Sequence, residues 1–260
     1  MNLLLISVFL LPAQAGQRLV MVGGGEKPKE AMARFVDWAG GEKARILYVP
    51  WSTEEGVEGF TDLQELLKPL KPASFELGVS TSELPAKSAE LLAQIGRATG
   101  VFFSGGDQNR VADVFKAAPG VREALRARYE EGVVFGGTSA GTAIMSETMI
   151  TGEGDFSVID ASTVEVRQGL GLLPSDIIVD QHFIRRQREN RLFGLLLERP
   201  GWLGVGVDED TAFLVEDGRF GAVSGAGQVM IVEPTPGGRR LLLELLAPGE
   251  RYDLKERKKL

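Results

Sequence analysis

The feature that most limits how this chain can fold is a rhythm. Short apolar runs, each stopped by Gly, Pro or Ser, alternate with stretches of helical spacing. The runs cover Arg18–Val22, 44–49, Ser74–Leu77, Gly100–Phe103 and 133–135; the stretches cover 28–38, 59–67, 86–95, 108–115 and 120–131. Runs this short read as buried strands, and a helix between consecutive strands is the crossover that parallel pairing requires. A further run at 177–179 precedes a segment with helical spacing at 185–197. After Pro200 the pattern changes to short strands parted by glycine turns, at 204–207, 212–215, 220–223, 229–232 and Leu241–Leu246. Antiparallel, hairpin-like pairs are therefore expected to close that end of the sheet. With no Pro- or Ser-rich linker, repeat or low-complexity block, residues 16–260 read as one α/β domain around a mostly parallel sheet.

Residues 3–11 form an unbroken apolar run, followed by Pro12 and Ala13-Gln14-Ala15. A short apolar stretch before an A-x-A site predicts a secretory signal at 1–15, cleaved before Gly16. The run is too short to span a bilayer. Met1-Asn2 supplies no positive charge, so the other readings are a buried first strand or a misassigned start codon. The protein is thus expected to be secreted or periplasmic, or cytoplasmic if the segment is not removed.

The chain has no cysteine and one histidine among 260 residues. Disulfides, a cysteine nucleophile, a thiolate zinc site and a multi-histidine metal site are excluded, and no metal or cofactor is expected. A net charge of −7, from 29 basic and 36 acidic residues, is not the basic footprint of a nucleic-acid binder. No other apolar run is long enough to cross a membrane.

Three glycine-rich turns follow apolar strands. Gly23-Gly24-Gly25 invites a dinucleotide-binding reading, but Pro28 stands where the fingerprint needs its third glycine, and a tight strand-to-helix turn is favoured. Ser104-Gly105-Gly106-Asp107-Gln108 would offer free backbone N–H groups to an anion or a developing oxyanion. Gly137-Thr138-Ser139-Ala140-Gly141 is a G-x-S-x-G sequence between a buried strand and a helical stretch, the context of a nucleophile elbow. Small neighbours let the backbone fold tightly beneath the serine, and the Ala140 N–H faces the position of an oxyanion.

A serine nucleophile needs a general base, and His182 is the single histidine available. It follows the run at 177–179, at a strand end expected on the same sheet edge as Ser139. The orienting carboxylate should come from Asp208-Glu209-Asp210, after another strand; spacing does not choose among the three. The order Ser, His, acid differs from that of α/β-hydrolases. Arg185, Arg186, Arg188 and Arg191 crowd the segment after the histidine, either as a solvated basic surface or as guanidinium forks for substrate carboxylates. Glu153, Asp155 and Asp180 are, by residue type, available to substrate arginines.

At these residues the sequence resembles the cyanophycinase branch of peptidase family S51, related to dipeptidase E and to class I glutamine amidotransferase-like folds. The resemblance runs through Gly105-Gly106-Asp107-Gln108, the Ser139 turn, Ile150-Thr151-Gly152-Glu153-Gly154-Asp155, Asp180-Gln181-His182-Phe183 with Arg186, Arg188 and Arg191, and 206–212. It implies a flavodoxin-like three-layer sandwich, often dimeric, and a catalytic triad of Ser139, His182 and Glu209. It also implies an oxyanion hole from Ala140 and Gly106, and substrate contacts at Gln108, Asp180, Gln181, Arg186, Arg188 and Arg191. The implied activity is a serine exopeptidase that hydrolyses cyanophycin, poly-aspartate bearing arginine on each β-carboxyl, to β-Asp-Arg dipeptides. The alternatives are a dipeptidase for other Asp- or isoAsp-containing peptides, or a non-catalytic peptide-binding relative. Thr142 departs from the alanine common at that position in the family.

Overall fold

In a computed structural model, residues 16–54, 56–235 and 240–260 are described; the leader expected at 1–15 lies outside them. In chain order the elements are β1 (Arg18–Val22), α1 (Lys29–Trp38), β2 (Arg45–Val49), α2 (Val57–Leu67), β3 (Ser74–Leu77), α3 (Leu84–Arg97), β4 (Gly100–Phe103), α4 (Gln108–Ala117), α5 (Pro119–Glu130), β5 (Val134–Thr138) and the single turn α6 (Ala140–Ala143). There follow β6 (Thr148–Gly154), β7 (Val164–Gln168), β8 (Ile177–Gln181), α7 (Glu189–Leu197), β9 (Leu203–Val207), β10 (Thr211–Glu216), β11 (Phe220–Gly225), β12 (Val229–Pro234), β13 (Leu241–Leu246), β14 (Arg251–Asp253) and β15 (Lys258–Lys259).

The main sheet runs β15-β14-β11-β10-β1-β5-β4-β2-β3. From β1 outward to β3 its pairs are parallel. From β1 to β15 they are antiparallel. Side-chain alternation sorts the apolar residues onto two faces. Leu19, Met21, Val101, Phe103 and Phe135 pack with Leu91, Ile95, Val111, Phe115 and Leu125 of α3, α4 and α5. Val20, Val22, Ile46, Phe102 and Val134 pack with Phe35 of α1 and with Leu63 and Leu67 of α2. The result is the three-layer α/β sandwich expected from the alternating pattern.

The second half of the chain differs from the expectation in three ways. First, the strands after Pro200 do not all close one sheet. β10 and β11 do, but β12 and β13 join β8 and β9 in a separate four-stranded sheet, β13-β12-β9-β8, whose β8–β9 pair is parallel. His182 therefore follows a strand of a different sheet from the one that ends at Ser139. Second, a hairpin of β6 and β7 covers the outer side of this sheet, where Ile150 and Val164 pack with Ile178 and with Leu192, Leu195 and Leu196 of α7. Mixed polar and glycine residues obscured its alternation. Third, the helix expected from 185 begins at Glu189. His182 and Gln187 have φ of 50° and 53°, and the chain between them is a tight turn closed by Arg186 N to His182 O at 3.0 Å. Left-handed residues cannot propagate a helix. The two sheets share one continuous core, because Val179, Leu203, Val205 and Val207 belong to the same cluster as Phe103 and Phe135. Among the described residues no helix is long and apolar enough to cross a membrane.

Phe102 is fully buried, with its ring 5.6 Å from Phe35 in an edge-on arrangement and 6.5 Å from Tyr48 in a stacked one. Phe102→Ala should lower unfolding free energy by about 3–5 kcal/mol, the cost of an unfilled aromatic site, read from the shift of a urea unfolding curve.

Candidate active site

β5 ends in a turn that only small residues permit. A Cβ at Gly137 would lie 2.4 Å from the Gly141 backbone, and one at Gly141 would lie 2.5 Å from the Phe103 carbonyl oxygen. Between them Ser139 has φ 52° and ψ −114°, a conformation unfavourable for an L-residue and sustained only by its surroundings. Ser139 N donates to Val22 O at 3.0 Å, and the buried Thr142 hydroxyl lies 2.6 Å from the same oxygen and 3.0 Å from Gly137 O. Thr142 thus ties the elbow to β1 by a bond that an alanine cannot make.

His182 comes to this serine from the end of β8. Its Nε2 is 2.8 Å from Ser139 Oγ and its Nδ1 is 2.5 Å from Glu209 Oε1. The carboxylate accepts, so the Nδ1 proton is donated to Glu209 and Nε2 is left to accept from the serine hydroxyl. The left-handed backbone at His182 is held by its N–H, which donates to Gly23 O at 2.7 Å. Gly24, at φ +123°, supplies the floor: a Cβ there would lie 2.1 Å from the imidazole Cε1. The triple glycine, expected from sequence as a tight turn, is the seat of the histidine ring.

The three consecutive acids after β9 have separate tasks. Asp208 Oδ1 accepts from Arg185 N at 2.8 Å, fixing the turn after the histidine. Asp210 Oδ1 accepts from Glu26 N at 2.6 Å, and Asp210 N donates to Gly24 O at 2.9 Å, fixing the glycine turn. Glu209 faces the imidazole. Burial pulls the His182 value below the ordinary 6.5, partly offset by the bond to Glu209, with Arg186 and Arg188 adding to the depression. Glu209 in turn is held below the usual carboxylate range, chiefly by that same bond to His182.

At the other candidate positions, Ala140 opens α6, so its N–H has no partner within the helix. Gly105 lies against the nucleophile, its Cβ position 3.5 Å from Ser139 Cβ; Gly106, at φ +133°, has Ser52 O where a Cβ would be, 2.2 Å away. Gln108 is buried and donates to Ile150 O at 2.9 Å. Gln181 places its amide oxygen 3.3 Å from Ser139 Oγ. Arg186 lies at the surface with Nε 3.3 Å from Glu209 Oε1. Arg188 donates to Gln181 O at 3.1 Å, and its buried Nε has no hydrogen-bond partner among the described residues. Burial and the nearby Arg191 bring Arg188 down to about 10, still protonated near neutrality.

Asp180 and Arg191 are different. Both are fully buried and engaged with each other: Arg191 Nε donates to Asp180 Oδ2 at 2.6 Å and its Nη2 to Oδ1, while Nη1 donates to Thr151 O at 3.0 Å. The guanidinium also lies 4.9 Å from the Phe156 ring centre. Neither has surface left for a substrate; as a pair they pin α7 and β6 to the strand that carries His182. Of the other acids, Asp155 is exposed and accepts from Ser157 N and Oγ, and Glu153 is exposed on β6.

A serine, an imidazole and a carboxylate in line, where strand ends of two sheets converge, is the arrangement of a serine hydrolase on an α/β sandwich. Residues 19–223 match the model of peptidase family S51. The chain belongs to that family and is a peptidase of the serine type. It is 34% identical over 220 residues to a cyanophycinase of Synechococcus elongatus, covering 83% of this chain and 68% of that protein. To a cyanophycinase of Trichormus variabilis it is 33% identical over 264 aligned residues, 94% of this chain and 88% of that one. Among solved structures, a peptidase from an acI-B1 actinobacterium superposes with a TM-score of 0.71 at 21% identity, covering 93% of this chain and 98% of that one, a likeness of fold.

Two outcomes are expected. Gly24→Ala should cut the rate of fluorophosphonate labelling at Ser139 by more than roughly tenfold, because misplacing a base by about an ångström has large kinetic cost; a thermal melt taken alongside reports the fold. Arg191→Met should destabilise by about 3–5 kcal/mol in chemical denaturation, since it strands a buried carboxylate, and adding Asp180→Leu should restore much of the loss.

Proposed function

We propose that this chain hydrolyses cyanophycin to β-Asp-Arg dipeptides through an acyl-enzyme on Ser139. The observation that carries the proposal is the in-line contact of Ser139, His182 and Glu209 in a chain one-third identical to cyanophycinases over most of its length. Ser139 Oγ attacks a backbone carbonyl carbon of the poly-aspartate chain as His182 Nε2 takes the hydroxyl proton. The oxyanion forms within reach of the N–H groups of Ala140 and Gly106. The imidazolium, its Nδ1–H on ionised Glu209, then passes the proton to the leaving amine, and the tetrahedral species collapses to the ester. Water, deprotonated by His182, releases the acid and regenerates the hydroxyl. Arg186 and Arg188, with Gln108 and Gln181, form the flank that meets substrate carboxylates and amides. Reading residues 1–15 as an export signal places the reaction outside the cytoplasm, and the family resemblance adds assembly as a homodimer.

The test is incubation with insoluble cyanophycin and mass analysis of what is released. Wild type should liberate β-Asp-Arg, and Ser139→Ala should lower the rate by roughly a thousandfold or more with an unchanged melting temperature. Release by the serine variant would overturn the mechanism; cleavage of short α-Asp or β-Asp peptides in preference to the polymer would overturn the substrate. A second measurement is the pH profile of kcat/KM. Neutral His182 is the active form, and its folded value lies below 6.5, so activity should persist below that pH and fall only as pH drops through the depressed value. Glu209 is itself held below the usual carboxylate range, chiefly by its bond to His182.

A further inference from the structure

A cleft of about 400 Å3 opens beside the nucleophile, lined in part by Gly105 and Thr138 of the two turns that border Ser139 and not by Arg186 or Arg188. It lies outside the carboxyl ends of β1, β2, β4 and β5, the edge where open α/β sheets hold ligands, and its size is that of a ligand cleft. Its buried inner surface includes Tyr48, whose hydroxyl reaches it because position 59 is glycine; a Cβ there would lie 2.3 Å from the Tyr48 oxygen. The remaining wall combines Thr53 and Gly56 with three charged side chains. Glu58 and Asp62 stand one turn apart on α2, and Lys27 lines the same cleft.

The two carboxylates are like charges at i and i+4, an unfavourable pairing on a helix. Both are exposed, and no hydrogen bond or ion pair joins either to a cation among the described residues. Several neighbouring acids are already engaged: Asp180 by Arg191, Glu209 by His182 and Arg186, and Asp208 and Asp210 by backbone N–H groups. The charged side chains that line this cleft are thus distinct from Arg186 and Arg188, which adjoin His182 and Gln181. An arginine arm joined through its α-amino group carries a guanidinium at one end and a free carboxylate at the other, which matches a cleft that has two acids and one lysine among its described lining residues.

We propose that Glu58 and Asp62 form the subsite for the guanidinium of a substrate arginine arm, with Lys27 taking that arm's free carboxylate. The assignment rests on the proposed function and names what selects arginine. Two short poly-aspartate oligomers test it, one bearing arginine arms and one bearing citrulline, the neutral near-isostere. Wild type should favour arginine by roughly ten- to hundredfold in kcat/KM, the range of a charge-assisted contact. Glu58→Gln/Asp62→Asn should reduce that preference to within about threefold, through a raised KM for the arginine oligomer. A preference that survives in the double variant overturns the subsite. So does an equal loss on both oligomers accompanied by loss of fluorophosphonate labelling at Ser139, which would show that the acids support the fold instead. If wild type cleaves neither oligomer, the cyanophycin reading fails by itself, and protection of Ser139 from labelling then decides the subsite. Protection by β-Asp-Arg but not β-Asp-citrulline, abolished in the double variant, upholds it; equal protection, or none, overturns it.

Discussion

The site depends on one backbone hydrogen bond between two sheets. His182 N donates to the carbonyl of Gly23, so the end of β8 is fastened to the end of β1. That bond holds His182 in a left-handed conformation, turns its side chain over Gly24 and aims Nε2 at the serine. β1 serves the nucleophile in the same way, since the Val22 carbonyl receives both Ser139 N and the Thr142 hydroxyl. The central strand of the main sheet is therefore the common reference for both reacting groups. Its last turn has to be bare of side chains, because the imidazole and the 207–208 backbone occupy the places where side chains would go.

Much of this was legible in the residues and some was not, for physical reasons. The parallel half of the main sheet could be read because both faces are buried, which leaves continuous apolar runs. The serine could be read because its turn requires glycine at 137 and 141. The histidine could be read because it had no competitor. The partition of strands into two sheets could not, since β8 and β9 are as apolar as β4 and β5 and hydropathy does not encode a neighbour. The role of Asp208-Glu209-Asp210 was also hidden. Alternation says that neighbours diverge, but only the turn geometry, with Asp210 at φ 56°, decides which of them meets the ring. Three adjacent glycines were a sign of something large coming close to the backbone, a sign indistinguishable in sequence from an ordinary turn.

The arginines show the same limit from the other side. Arg186, Arg188 and Arg191 are similar in sequence and unlike in place: one at the surface, one half-buried with a free donor, one sealed against Asp180. Spacing along the chain marked all three as candidates for substrate carboxylates. Burial separates the two that can meet a ligand from the one that braces the strand beneath the histidine. In a low-dielectric interior an arginine and an aspartate that satisfy each other have nothing left for a third party.

The bonds that complete the site link residues far apart in the chain, such as that between Glu26 and Asp210, 184 positions away. The nucleophile is synthesised early and its base and carboxylate late. A nascent chain that has emerged through α6 carries the serine with no imidazole to take its proton, and it stays chemically silent until His182 and the acids after β9 have followed and docked. Hydrolytic competence therefore arrives as one of the last events of biogenesis, and the onset of serine reactivity is a clock for the closing of the fold.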